Sequence, residues 1–281
     1  ERDKRNDKVV IGRGAFGTVY AGVLHGKPVA IKSEEVGPDE EEAWMKAVRL
    51  HVRATSPYIV GVHGIIVDRD EGKVTHYLVM ERLAGTLTAL LLKPGGAHYG
   101  ADMELRLALL ANVAGGLAYL HAASVIHADV KPDNVLLSAS TDSTPPTAKL
   151  ADFGSSVLRR EDTKTRATLR GERGTLVYMD PRLFDPAASI TAASDVYSFG
   201  VLAWQVLSGL EPYEAELAVT LPTARGPQMA EALRRHVAGG GRPVTAALVE
   251  RGVPLDVVAL VDACWAPAPA SRPAMAAVHR T

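Results

Sequence analysis

The residues able to handle phosphate come first. Ile11-Gly12-Arg13-Gly14-Ala15-Phe16-Gly17-Thr18-Val19 spaces three glycines so that a backbone without Cβ atoms can approach phosphate groups closely. A bare glycine turn would show the same triplet, and so would a dinucleotide-binding loop, but that loop must open a helix. Here the glycines run into Val19-Tyr20-Ala21-Gly22, a strand-like stretch, which favours a hairpin folded over a nucleotide. Val29-Ala30-Ile31-Lys32 then ends an apolar run on a lysine, 15 residues after Gly17. A lysine there is ordinarily a surface residue reaching for water. On a strand beside the hairpin its ammonium could instead reach the phosphates that the glycines cover.

Two further segments lie in the middle of the chain. Val125-Ile126-His127-Ala128-Asp129-Val130-Lys131-Pro132-Asp133-Asn134-Val135-Leu136-Leu137 brings two acids, a lysine and an asparagine into one short loop between apolar runs. A solvated turn explains polar residues but not this order and spacing. Ala151-Asp152-Phe153-Gly154 follows 18 residues after Asn134, behind the strand-like Lys149-Leu150-Ala151.

These residues need elements to position them. Val9 to Ile11, Thr18 to Tyr20 and Val29 to Ile31 read as strands with β-branched content, as do Tyr58 to Val67 and Val74 to Met80. Glu40 to Ala54 reads as a helix with an acidic start, which suits the positive end of its dipole. Beyond Gly85 the character changes. Asp102 to Ala123 places Leu105, Leu109, Val113, Leu117 and Leu120 on one helical face. Asp195 to Leu207 is apolar almost all round, which marks a buried helix. Gln228 to Val237 and Leu255 to Trp265 read as further helices, and Ser138 to Thr147 and Arg159 to Arg173 as polar loops. A strand-rich lobe thus precedes a helix-rich one, with the break at Glu81 to Gly85.

The chain has 281 residues, 47% hydrophobic and 22% charged, with a formal net charge of −1. That balance is globular, and no basic surplus argues for nucleic acid or an anionic membrane. The one cysteine, Cys264, excludes an intrachain disulfide and suits a cytoplasmic setting, or the cytoplasmic domain of a larger protein. The most apolar stretch, Val196 to Leu210, falls short of the roughly 20 residues a membrane span needs. The charged opening Glu1-Arg2-Asp3-Lys4-Arg5 is unlike a signal peptide, and the chain reads as a piece of a longer protein.

In their order and spacing the four segments resemble the signature of eukaryotic-type protein kinases, over nearly the whole chain. Later stretches agree. Gly174 to Pro181 resembles the end of an activation segment, and Asp195 to Gly200 the helix that supports the catalytic loop. Cys264-Trp265 with Arg272-Pro273 resembles the domain end of tyrosine-kinase-like kinases, and Lys131-Pro132-Asp133-Asn134 and Thr175 follow the serine/threonine pattern. The resemblance implies an α+β, bilobal fold in one domain, residues 1–281. The first lobe and hinge (about 1–82) hold a five-stranded antiparallel sheet with one main helix, and the second lobe (about 83–281) is mainly helical.

It also implies roles in transferring phosphate from ATP to a protein hydroxyl with Mg2+. Asp129 would accept the hydroxyl proton, and Lys131 would offset charge on the moving group. Asn134 and Asp152 would hold magnesium with hard oxygen ligands, and Lys32 would hold the α- and β-phosphates. Ile11, Gly12, Arg13, Gly14, Ala15, Phe16 and Gly17 would cover the nucleotide. Adenine would lie between Val19 and Ala30 above and Leu136 below, with Met80 behind it and the backbone of Glu81 to Leu83 bonding the base.

Three positions depart from the family pattern. Ala128 stands where many kinases have the arginine that pairs with a phosphorylated activation loop, so activity is expected to depend little on such phosphorylation. Ala47 stands where the first-lobe helix carries the glutamate that pairs with Lys32, unless a shifted alignment brings Glu42 to that role. Arg182 replaces the glutamate that pairs with an arginine near the domain end, here Arg272, so another acid must intervene or the segment must pack differently. These departures motivate an alternative: a pseudokinase that holds nucleotide or partners without transferring phosphate. A kinase of small molecules is disfavoured, because the long segment from Asp152 to Pro181 suits a polypeptide substrate.

Overall fold

Short β-branched runs alternating with glycine turns build the first lobe. The computed structural model describes residues 9–14, 17–37, 39, 41–70, 73–141, 143–152, 157–158, 176–220 and 227–281. Its first sheet is antiparallel, with strands β1 (Val10–Gly14), β2 (Gly17–Leu24), β3 (Lys27–Glu35), β4 (Val62–Asp70) and β5 (Lys73–Glu81) in the order β1-β2-β3-β5-β4. The register puts Lys32 opposite Val19 on one side and Leu78 on the other. Gly17 has φ +137°, and a Cβ there would fall 1.9 Å from the Ser33 carbonyl oxygen. The packing of the hairpin on β3 therefore demands this glycine, apart from any phosphate.

Helix α1 (Glu41–Arg53) begins on Glu41 and Glu42 and ends on His51 and Arg53, charges that complement its dipole. Its inner stripe buries Ala47, Val48 and His51. The expected Glu40 start lies outside the described residues. The strand expected from Tyr58 begins only at Val62. Tyr58 to Val60 is diverted to the other lobe, where Val60 N–H donates to Leu150 O and Leu150 N–H to Tyr58 O, each at 2.9 Å. The N–H of buried Val60 is satisfied there rather than in the sheet, and that of buried Ile59 donates to Ser56 O.

Past β5 the chain crosses between lobes into β6 (Gly85–Thr86), which pairs with β8 (Val135–Leu137), itself paired with β9 (Ala148–Leu150). Helix α2 (Met103–Ala122) is capped by Asp102, whose carboxylate accepts from Leu105 N–H at 2.9 Å. It is the one described helix long and apolar enough to cross a membrane, longer than the apolar stretch the sequence singled out. Here Leu109, Val113, Leu117 and Leu120 are buried in the lobe core with Val196, Leu202 and Val206 of α3 (Ala192–Ser208). Further helices span Glu214–Thr220, Pro227–Ala238, Ala246–Glu250, Leu255–Cys264 and Met275–Val278. A smaller cluster, Val48, Val60, Leu78, Met80 and Ala151, joins α1 and the sheet to the residue before Asp152. The loop Ser138 to Thr147 is closed by a Thr141–Thr144 bridge, and residues 159–173 lie outside the described residues.

Candidate active site

Strands β7 (Val125–Ile126) and β8 bracket the loop that carries Asp129. The loop stands on one buried carboxylate. Asp195, in the first turn of α3, accepts from the backbone N–H of His127 at 2.9 Å and of Ala128 at 2.8 Å, and lies 2.8 Å from His121 Nε2. Ala128 is thereby held at φ +66°, a left-handed conformation that costs an alanine about 1–2 kcal/mol. The fully buried His127 ring sets its Nε2 3.0 Å from Ala151 O, tying the loop to the residue before Asp152.

The two oxygens of Asp129 differ. Oδ2 accepts from Lys131 Nζ at 2.7 Å and from Asn134 Nδ2 at 2.8 Å, and the same Asn134 nitrogen reaches Asp129 O at 2.8 Å. Oδ1 is buried and has no hydrogen-bond partner among the described residues. A buried acceptor left unmade is costly. This oxygen therefore suits a hydroxyl that arrives with substrate. The short 3-10 turn Pro132–Asn134 sets the Asn134 side chain back toward Asp129.

Lys32 lies where the lobes meet. Its Nζ is 3.0 Å from Asp152 Oδ1 and 2.6 Å from Glu34 Oε1. Burial alone would lower its pKa, but Asp152 and Glu34 outweigh burial and hold it above the ordinary lysine value, so the ammonium stays charged. Asp152 has φ +61°, which aspartate tolerates better than most residues. One turn beyond Ala47, His51 sets Nε2 2.7 Å from Val60 O, and burial pushes its imidazole down to about 4, so it stays neutral.

Val19 and Ala30 lie on β2 and β3, half-buried, and Leu136 on β8 in the other lobe. Met80 is buried, and Leu83 and Leu136 pack against its cluster. Of the three residues expected to bond the base, Glu81 has its own N–H already taken by Gly61 O at 2.9 Å. Any backbone donation to a base would therefore come from its neighbours. The Glu81 side chain is engaged as well, with Lys149 Nζ 2.8 Å from both oxygens and Gly61 N–H 2.7 Å from Oε1. Ile11 and Arg13 are exposed on β1 beside Gly12. Ala15, Phe16, Phe153, Gly154 and Thr175 lie outside the described residues, as does the environment of Gly14.

The residues fit ATP and a divalent cation by their chemistry. Asn134 and Asp152 offer hard oxygens, and the Lys32 cation stands beside Asp152. No three His, Cys, Asp or Glu side chains among the described residues form a metal site of their own. A magnesium ion would therefore need phosphate oxygens as well, its usual arrangement with nucleotides.

Two acids that sequence reasoning left unnamed answer two of the departures. The acid that Arg182 and Arg272 share is Asp180, fully buried. Arg272 Nη1 lies 2.6 Å and Arg182 Nη2 2.8 Å from its Oδ2. Burial would raise the Asp180 carboxyl, but hydrogen bonds from Arg272 and then Arg182 outweigh it and hold it below the ordinary carboxylate range. The other is Glu34, the acid beside Lys32. Its signal was the two-residue period of a strand, which puts positions 32 and 34 on one face.

Comparison with known proteins agrees with this geometry. The chain is 29% identical to the probable serine/threonine-protein kinase gdt2 of Dictyostelium discoideum over 95% of its own length and 15% of that protein's. It is 32% identical to the serine/threonine-protein kinase PkaB of Streptomyces coelicolor over 94% of its length and 58% of that protein's. It is 34% identical to human mitogen-activated protein kinase kinase kinase 11 over 73% of its length and 24% of that protein's. It thus spans less than two thirds of each of these relatives. The protein kinase domain family matches residues 5–281, and the chain belongs to that family.

Proposed function

We propose that this chain phosphorylates serine or threonine hydroxyls of protein substrates, using ATP and magnesium. The observation that carries the reading is the asymmetry of Asp129: Oδ2 is saturated by Lys131 and Asn134, while Oδ1 is buried and unpartnered among the described residues. Bound ATP supplies the phosphoryl group, and magnesium offsets its charge. The chain's own residues orient and neutralise. Lys131 and Asn134 fix the Asp129 carboxylate so that Oδ1 faces an incoming hydroxyl and accepts its proton. Lys131 places a cation beside the other oxygen, Oδ2. Lys32 would hold the α- and β-phosphates, and Asn134 and Asp152 the cation. Gly12, Gly14 and Gly17, with Ile11, Arg13, Ala15 and Phe16, would cover the nucleotide; Val19, Ala30, Met80, Leu83 and Leu136 would enclose adenine.

The kinase is further proposed to be of the type without an arginine before the catalytic aspartate, since Ala128 stands there. The triple variant Thr163→Ala, Thr165→Ala, Thr168→Ala should then keep its activity within tenfold of the parent, by the estimate that lost charge-assisted contacts cost ~1.5 kcal/mol or more. The pseudokinase alternative finds no support. Two of the departures on which it rested are offset, Arg182 by Asp180 and Ala47 by Glu34. The direct test is radiolabelled phosphate transfer to a generic protein substrate, comparing the chain with Asp129→Asn. A loss of about 10²–10⁴-fold is expected. Transfer that the substitution leaves untouched would point to another mechanism, and no transfer with magnesium-dependent ATP binding intact would revive the pseudokinase.

A further inference from the structure

Ala47 leaves α1 without a carboxylate at the position from which the family pairs its lysine, yet Lys32 has a carboxylate beside it. Glu34 Oε1 lies 2.6 Å from Lys32 Nζ, and the two side chains are only 16% and 13% exposed. The pair sits two residues apart on a central strand, so the backbone already holds both on one face and little freedom is lost in joining them. The other Glu34 oxygen, Oε2, accepts from Trp44 Nε1 on α1. Trp44 stands three residues before Ala47, on the same side of the helix. Its ring lies 4.5 Å from that of His76, a fully buried residue of β5 whose Nε2 is 3.4 Å from Glu41 Oε1. The first turns of α1 are thus seated on the sheet through Trp44, and the same side chain steadies Glu34. Asp152 Oδ1, 3.0 Å from the same ammonium, draws Lys32 toward the other lobe. Glu34 opposes that pull.

The geometry points to Glu34 as the positioning residue that orients Lys32 for the nucleotide, with Trp44 as the link through which α1 holds it. Together they take the place of a helix-borne acid at position 47. Such an arrangement tolerates movement of α1 better than a helix-borne pair. A shift of the helix breaks the Trp44 contact but leaves lysine and acid on one strand.

The functional consequence rests on the phosphoryl-transfer reading, whereas the pairing does not, so the test carries two readouts. Glu34→Gln keeps the shape and removes the charge. Trp44→Phe keeps an aromatic ring, though a smaller one, and removes the N–H. Glu34→Gln with Ala47→Glu returns an acid to the helix. Kcat/KM for ATP should fall about ten- to a hundredfold in Glu34→Gln, and about two- to tenfold in Trp44→Phe. Adding Ala47→Glu should recover part of the first loss. In nucleotide-free protein, an amine-reactive reagent followed by peptide mass spectrometry should label Lys32 several-fold faster in Glu34→Gln, because a lost counter-charge frees more neutral amine. Thermal unfolding identifies variants that fail to fold, and if Glu34→Gln is one of them, Trp44→Phe decides. Kcat/KM within twofold of the parent would overturn the proposal, and so would a loss of activity with Lys32 labelling unchanged, which would make Glu34 merely structural. If the parent itself shows no transfer sensitive to Asp129→Asn, the kinase reading fails, and labelling alone still decides the pairing.

Discussion

Around Asp129 the charged groups are fixed by buried partners within one lobe. Asp195 holds the backbone of the loop, Lys131 and Asn134 hold the carboxylate, and Asp180 holds Arg272 beneath. At the crossing between lobes Lys149 meets Glu81 with side chains 20% and 26% exposed, against 1% and 0% for Arg272 and Asp180. The difference teaches where the geometry is rigid and where it is adjustable. A buried network is costly to open, because each removed partner strands a charge away from water. A half-exposed pair is partly replaced by solvent. Asp129 therefore stands on a fixed floor, while the crossing between lobes is held by a pair that water can partly replace.

The comparison breaks first at Asp180. Asp180→Asn would leave Arg272, 1% exposed, without its counter-charge and should cost about 3–5 kcal/mol in denaturant unfolding. The same carboxyl fixes the pH dependence. Burial raises its pKa, but the Arg272 and Arg182 hydrogen bonds more than reverse this, and its folded-state value lies below the unfolded one. Its contribution is therefore present above the ordinary carboxylate range and is lost as pH falls through the depressed value. Unfolding curves of the parent and Asp180→Asn should converge in acid. A gap that stays constant with pH would mean that Asp180 is not the ionised acid of this floor.

Lys131→Ala comes next. It removes the cation beside Asp129 Oδ2 and should lower kcat about 10²–10³-fold, the cost of one preorganised donor, with little change in ATP binding. An equal rise in KM for ATP would show instead that Lys131 serves the nucleotide. Ala128→Gly sharpens the picture in the other direction. Glycine relieves the left-handed backbone at φ +66°, so thermal unfolding should show a gain of up to about 1–2 kcal/mol, offset by roughly 0.5–1 kcal/mol of glycine's added unfolded-state entropy. Smallest of all, Lys149→Ala should cost only about 0.2–1 kcal/mol, and the loss should shrink in high salt. A loss as large as that of Asp180→Asn would erase the distinction between buried floor and half-exposed crossing.

The sequence by itself determined the order of strands, crossing and helices, and the residues to be brought together. Glycine spacing, a lysine ending a strand and an all-apolar helix are local patterns, and β-branched runs or a 3.6-residue period follow from chain geometry alone. Asp129, Lys131 and Asn134 were legible because they share one loop, whose spacing limits how they can meet. The partners of lone charges were not. Asp180 answers Arg272 across 92 residues of sequence while also taking Arg182 two residues away, and Glu34 is steadied beside Lys32 by Trp44 from the helix. Likewise Tyr58 to Val60 has the composition of a strand, but it pairs with Leu150 in the other lobe. Only the tertiary structure decides such matters, because a buried charge or backbone group pairs with whichever complement the packing brings within about 3 Å, and the sequence offers several.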